Sequence, residues 1–157
     1  MKKYPMTIKG LEELKNQLHY LKTIERPKII ESLIEARAHG DLKENAEYHA
    51  ACEQQNFNEK KIKDIEIKLM NSQVIDTSKL IDNGKVVFGS TVCLHNMTIN
   101  ITMNYQIVGE DEANIKLNKI SYISPIGKSL LGKSLGDIVS VKVPDGIVQY
   151  KILKIFY

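Results

Sequence analysis

Residues 37–55 read RAHGDLKENAEYHAACEQQ and separate two long helical patterns. At the centre, Gly40-Asp41-Leu42-Lys43-Glu44 interrupts a chain of strong helix formers on both sides. A break with no loop-forming residue beyond one glycine predicts the tip of an antiparallel helical hairpin. Two carboxylates, Asp41 and Glu44, would then stand at the far end of the arms. Local helix physics accounts for these residues without any ligand. Gly40 suits the C′ position of the first helix, Asp41 suits the N-cap of the second, and Glu44 at N3 completes a capping box. The functional alternative is that the pair binds a divalent cation, Mg²⁺, because hard cations take oxygen ligands. Two carboxylates cannot complete a tight Mg²⁺ site, so its other ligands would come from a second molecule.

Working outward, Ile8, Leu11, Leu14, Leu18 and Leu21 recur at spacings of three and four, which predicts an amphipathic helix with Thr7 as its N-cap. Pro27 lacks a backbone donor and is expected to kink or restart the helix. Ile30, Leu33, Ile34 and Ala36 are expected to carry the apolar stripe to the tip. Beyond it, Ala46, Ala50, Phe57, Ile62, Ile65, Leu69 and Met70 mark a second helix running to about Val74. Each arm of about 30 residues would extend roughly 45 Å. A two-helix hairpin of that length buries little, so the length calls for a purpose.

From about Leu80 the period changes to two. Asn83-Gly84 marks a turn, Thr91 to Asn96 reads as a strand, and Ile99, Ile101, Met103, Tyr105 and Ile107 alternate with polar residues. Pro125 to Leu131 reads as a short helix closed by Gly132. Ile138 to Val143, the turn Pro144-Asp145-Gly146, and Val148, Tyr150 and Ile152 form a terminal hairpin. The fold class expected is therefore α+β, an N-terminal coiled-coil hairpin (1–78, tip at 40–44) followed by a compact domain (79–157).

Composition narrows the chemistry. Residues 1–78 carry 13 basic and 13 acidic side chains and residues 79–157 carry 9 and 6, so neither half has the surplus of a duplex-DNA binder. Cys52 and Cys93 form no Cys-x-x-Cys pair and read as free thiols of a reducing cytoplasm. No apolar run approaches the roughly 20 residues of a membrane span, and the amino terminus has no signal-peptide core. His39 and His49 flank the tip without zinc-ligand spacing. No Walker, dinucleotide or nucleophile motif is present, so no self-contained active site is expected.

HGDLKENAEYHAACEQQ closely resembles the signature of the bacterial Gre transcript cleavage factors, A type. The similarity continues through IKDIEIKL, QVID, FGSTV, VGEDEA and ISPIGKSLLGK and covers essentially the whole chain. The resemblance implies an FKBP-like second domain that docks on RNA polymerase and a coiled coil that enters its secondary channel. The tip then stimulates the polymerase's own hydrolysis of backtracked RNA, creating a new 3′ end. Asp41 and Glu44 would be the catalytic pair, sharing Mg²⁺ with the polymerase. In solvent such carboxylates are ionised at neutral pH. Arg37 would contact the extruded RNA, whereas Cys52 stands where relatives usually have arginine, which implies a weaker phosphate contact. Ser124-Pro125-Ile126 resembles the polymerase-docking loop, although Pro125 reads equally as the first residue of a helix. Tyr48 either orients the tip or packs. A cytoplasmic monomer is expected.

Three rivals stand beside this assignment. A channel-binding regulator without cleavage activity would be expected to differ at the tip. A prolyl isomerase favours an aromatic-lined pocket, and the chain has no Trp and 3 Phe. A plain coiled-coil scaffold would leave the tip sequence without a role.

Overall fold

A computed structural model of the chain describes residues 2–40 and 45–157. In chain order the elements are β1 (Tyr4–Thr7), α1 (Ile8–Tyr20), a π-helical turn (Leu21–Glu25), α2 (Arg26–Arg37), α3 (Ala46–Met70), β2 (Ser72–Ile75), β3 (Thr91–Asn96), β4 (Ile101–Val108), β5 (Lys119–Ser121), α4 (Pro125–Leu130), β6 (Ile138–Val143) and β7 (Gly146–Phe156). They form two compact units, one built on Glu12–Ser72 and the other on Tyr4–Leu11 together with Gln73–Tyr157. The class is α+β as expected, but the division differs from 1–78 and 79–157. The second helix ends at Met70 instead of near Val74, and the β-branched Val74 and Ile75 fall in β2, which pairs with β1. That pairing draws Tyr4–Leu11 into the later unit.

In the helical unit, Pro27 sits at the second position of α2 and the π-turn precedes it directly. The Arg26 N–H reaches back five residues to the Leu21 carbonyl. A turn of this kind places one extra residue in the arm, which suits a proline that can neither donate to residue i−4 nor avoid its carbonyl. The consequence is a change of phase. Leu14 and Leu21 are buried, and a continuous heptad would next bring in Lys28; instead Ile29 and Ala36 are buried. Ile30 and Ile34, expected in the stripe, are 42% and 64% exposed. The buried stripe of α3 is Ala51, Asn58, Ile62 and Ile65, while Phe57 and Met70, also expected there, face solvent. Ala46 and Ala50 are exposed as well.

Asn58 is the one buried polar side chain of this stripe, and its amide donates to the Leu21 carbonyl at 3.4 Å. Burial without that partner would carry the desolvation cost of an unpaired amide. Arg26 grips Glu59 with two hydrogen bonds, 2.7 and 2.8 Å, the fork-to-carboxylate geometry that lysine cannot reproduce.

The second unit contains a five-stranded sheet in the order β5-β4-β3-β7-β6. All neighbours are antiparallel except β4 and β5, which run parallel. One face packs into a core of Val86, Val92, Leu94, Ile107, Ile120, Leu130, Val139, Val141, Tyr150 and Ile152. Strands β3 and β6 and the terminal hairpin lie where the period-two pattern predicts them. Ile99 does not join β4; it lies in the preceding turn and is 59% exposed.

Close approaches at Gly10, Gly109 and Gly127 leave no room for a Cβ. A Cβ on Gly127 would fall well inside van der Waals contact of the Ser121 carbonyl oxygen, so α4 can sit on β5 only without one. A Cβ on Gly10 would collide with the Glu112 side chain. Glu112 accepts hydrogen bonds from the Thr7 N–H (3.0 Å), the Thr7 hydroxyl and the Gly109 N–H (3.2 Å). Thr7 in turn caps α1, its hydroxyl accepting from the Gly10 N–H at 3.0 Å, as the sequence predicts. A carboxylate at this position also complements the positive end of the helix dipole. Among the described residues no helix is long and apolar enough to cross a membrane.

Gly127→Ala is expected to destabilise the chain by about 2 kcal/mol or more, because the colliding atom is backbone and cannot rotate away. Urea unfolding followed by circular dichroism checks this, and an unchanged midpoint would refute it. The Arg26–Glu59 pair gives a pH signature. Hydrogen bonds from Arg26 hold the Glu59 carboxyl below its ordinary value. Its contribution is therefore complete above the unfolded-state value near 4.5 and disappears as pH falls through the lowered native one. Arg26→Gln should unfold earlier than wild type at neutral pH, with the gap closing in acid; a gap that ignores pH would exclude the ion pair as its source.

Candidate functional site

The hairpin tip is held from both sides by one residue. α3 begins at Ala46, and its N-cap is Asn45 in an extended conformation, with the side-chain oxygen accepting from the Tyr48 N–H at 3.0 Å. The amide nitrogen of the same side chain donates to the Ala36 carbonyl, in the last turn of α2. A helix leaves its first donors and last acceptors unpaired. Asn45 meets one of each, on opposite arms, and the Ala36 carbonyl also accepts from the His39 N–H at 3.2 Å. Asparagine carries its acceptor and its donor on separate atoms of one amide, which lets it reach both arms at once. Glu47 in the first turn of α3 adds negative charge where the helix dipole favours it.

The capping box expected of Asp41 and Glu44 is thus corrected. The cap of α3 is Asn45, four residues past Asp41. The sequence signal was present, since asparagine ranks with aspartate as an N-cap, but the acidic pair matched the box pattern first. Asp41 and Glu44 themselves lie outside the described residues. The end of α2 is also shifted, with Ala38 as its C-cap, so that His39 and not Gly40 occupies C′; Gly40 follows with φ of +121°.

Arg37, the last residue of α2, is exposed, and its guanidinium carbon lies 5.7 Å from the centroid of the Tyr48 ring. Tyr48 meets His49 edge to face at 5.9 Å. The two residues singled out beside the tip are therefore in contact across the arms, and the ring limits where the Arg37 cation can point. His39 and Glu47 approach within 3.8 Å, both largely exposed. Cys52 is a half-buried free thiol. Among the described residues no group of histidine, cysteine and carboxylate side chains could hold a metal ion.

Ser124, Pro125 and Ile126 lie in the other unit. The Ser124 hydroxyl accepts from the Gly127 N–H at 3.1 Å and donates to the Ser121 carbonyl at 2.6 Å, which makes it the N-cap of α4. Pro125 is the first residue of that helix and is exposed, and Ile126 packs against the core. Of the three, Pro125 offers the open surface.

The chain is a helical hairpin joined in sequence to a small α+β domain, and the sequence comparisons give that two-part arrangement a class, the transcription elongation factors. Residues 4–74 match the family described as transcription elongation factor, N-terminal, and residues 81–157 match transcription elongation factor, GreA/GreB, C-term. The transcription elongation factor GreA of Legionella pneumophila (strain Corby) is 57% identical over 157 residues, covering 100% of this chain and 98% of the relative. GreA of Baumannia cicadellinicola is 56% identical and GreA of Pasteurella multocida (strain Pm70) 54%, each over 100% of this chain and 99% of the relative. The solved structure of the transcription factor Gfh1 aligns over 98% of this chain and 97% of its own at 26% identity, with a TM-score of 0.47, too low to carry weight on the fold. The chain belongs to the GreA/GreB family of transcription elongation factors.

Asn45→Asp keeps the acceptor for the Tyr48 N–H and removes the donor to Ala36, whereas Asn45→Ala removes both. Loss of the cap costs about 1 kcal/mol. Amide hydrogen exchange at Tyr48 should accelerate in Asn45→Ala and stay slow in Asn45→Asp; equal exchange in all three proteins would show that Asn45 does not cap α3.

Proposed function

We propose that the chain is a monomeric, cytoplasmic factor that binds RNA polymerase, places its hairpin in the secondary channel and stimulates the polymerase's cleavage of backtracked RNA. The observation that carries this proposal is the Asn45 bridge within a GreA/GreB-family chain: the segment it closes holds Asp41 and Glu44. Ser124-Pro125-Ile126 is the proposed docking segment. With the Ser124 hydroxyl engaged in the helix cap, the exposed Pro125 ring is the part that would meet the polymerase.

Asp41 and Glu44 would supply carboxylate oxygens to a Mg²⁺ ion shared with the polymerase centre. The donor set fits that ion, which takes hard oxygen ligands and leaves other positions to phosphate and water. When bound, the metal polarises a phosphoryl oxygen and lowers the pKa of coordinated water. The chain's own tasks are geometric. Asn45 ties the two arms together beside the carboxylates in sequence, and Arg37, steered by Tyr48, would face the phosphates of the extruded strand. Cys52 adds no charge to that contact, so Arg37 carries more of it here than in a chain with a second arginine.

The test is a stalled, backtracked polymerase complex with labelled RNA, comparing wild type with Asp41→Asn/Glu44→Gln. The variant is expected to bind the complex and to lose about 100-fold or more in stimulated cleavage, as removal of metal-site partners does. Equal cleavage by both proteins would exclude the carboxylates from the reaction. Binding without cleavage by either would make the chain a channel regulator.

A further inference from the structure

The strands of the five-stranded sheet contain four lysines, one histidine and no carboxylate. Strand register puts all of them on one face. Lys151 stands opposite His95 on β3 and Ile138 on β6, and Lys154 stands opposite Cys93. Lys142 opposes Ile147, and Lys119 opposes Gln106, which in turn pairs with Thr91 and so lies beside Phe156. Between these positions Val92, Leu94, Val139, Val141, Tyr150 and Ile152 point into the core. The cations therefore occupy the face opposite the core, where Lys142, Lys151 and Lys154 are exposed. None of the four lysines is in an ion pair among the described residues. The neighbouring carboxylates are in turns: Asp137 is bound to the Ser134 N–H, and Asp145 lies in the β6–β7 turn.

A near-neutral chain with one uncompensated cationic face has a preferred class of partner. Lys119 and Lys142 lie on the two edge strands, about 19 Å apart at the usual strand spacing. Spread over that width, the charges match a chain of phosphates better than a single anion. Lysines are point charges that bind phosphate without sequence preference. Thr91, Asn104, Gln106, Ser140 and Gln149 supply hydroxyls and amides between them, and the exposed apolar residues Ile138 and Ile147 lie toward the β6–β7 side of the face. Phe156, 42% exposed with the Lys154 ammonium 4.8 Å above its ring, adds an aromatic surface of the kind on which unpaired bases stack.

We infer that the outer face of this sheet binds the phosphodiester backbone of single-stranded nucleic acid, independently of the hairpin tip and of the cleavage role proposed for it. The site works through lysine charge and does not read sequence.

The test is fluorescence anisotropy of the full chain with labelled oligouridylate, and separately with oligothymidylate, over a series of salt concentrations. Wild type, Lys142→Gln/Lys151→Gln/Lys154→Gln, the corresponding triple Arg variant, and Arg37→Ala are compared, each checked for an unchanged melting temperature. The Gln variant is expected to lose about tenfold or more in affinity at low salt, and its salt slope should shrink by about 2, as three lost phosphate contacts require. The Arg variant should bind as wild type does, and Arg37→Ala should retain most of the binding. Tighter binding of oligouridylate than of oligothymidylate would assign the site to RNA, and the reverse to single-stranded DNA. The inference fails if wild type does not bind, or if the loss follows Arg37 instead of the lysines. It also fails if polyglutamate displaces the strand as readily as free RNA does, since that would point to an acidic protein partner.

Discussion

A proline in the first arm sets the phase of everything between it and the tip. Pro27 cannot donate the hydrogen bond that an α-helix needs there, and the chain answers with a π-turn that closes on the Leu21 carbonyl. The extra residue turns the rest of the arm so that Ile29 and Ala36 face inward, where an unbroken heptad would have brought Lys28. The same carbonyl is met from the other arm by the buried amide of Asn58. A polar residue in a helical seam is costly to misalign, which favours one register over its neighbours. The Asn45 bridge to Ala36 depends in turn on that phase, because it needs the last turn of α2 to present this carbonyl toward the start of α3.

The sheet unit solves a different problem. Its core is assembled from strands distant in sequence, and Gly10, Gly109 and Gly127 mark where backbone and side chains approach too closely for a Cβ. Gly127 lets α4 settle against Ser121, and Ser124 ties the start of that helix to the same carbonyl. Gly10, in a helix where glycine costs about 1 kcal/mol relative to alanine, leaves room for Glu112. Glu112 then gathers two donors of Thr7 and the Gly109 N–H around one carboxylate. The cost in helix propensity is offset by a cap that joins the first turn of α1 to the loop after β4.

These constraints assign different tasks to the functional segments. Beside the tip, Asn45 bridges the two arms, pairing with Ala36 on one and Tyr48 on the other. The segment proposed to dock is a helix start whose serine is already engaged, which leaves its proline outward. The outer sheet face is free of carboxylates because the strands place every charged residue away from the core, and all of those residues are basic. The sheet face offers distributed charge on four lysines.

Much of this was legible in the residues themselves. Helical spacing on either side of Gly40, the Thr7 cap, the strands at 91–96 and 138–143, and the Ser-Pro start of α4 follow from periodicity and local hydrogen-bonding chemistry, which act within a few residues. The 17-residue tip signature identified the family for the same reason: its information is contiguous. What escaped depends on partners far along the chain. The phase change at the π-turn, the choice of Asn45 over Asp41 as cap, the pairing of β1 with β2 and the grip of Glu112 on Thr7 each join residues whose separation no local pattern encodes. Sequence alone determined which elements form and what chemistry they carry. The tertiary structure decided which face each element buries and which of two equally good capping residues is used, because those choices are settled by packing and by the location of a helix-end carbonyl on another segment.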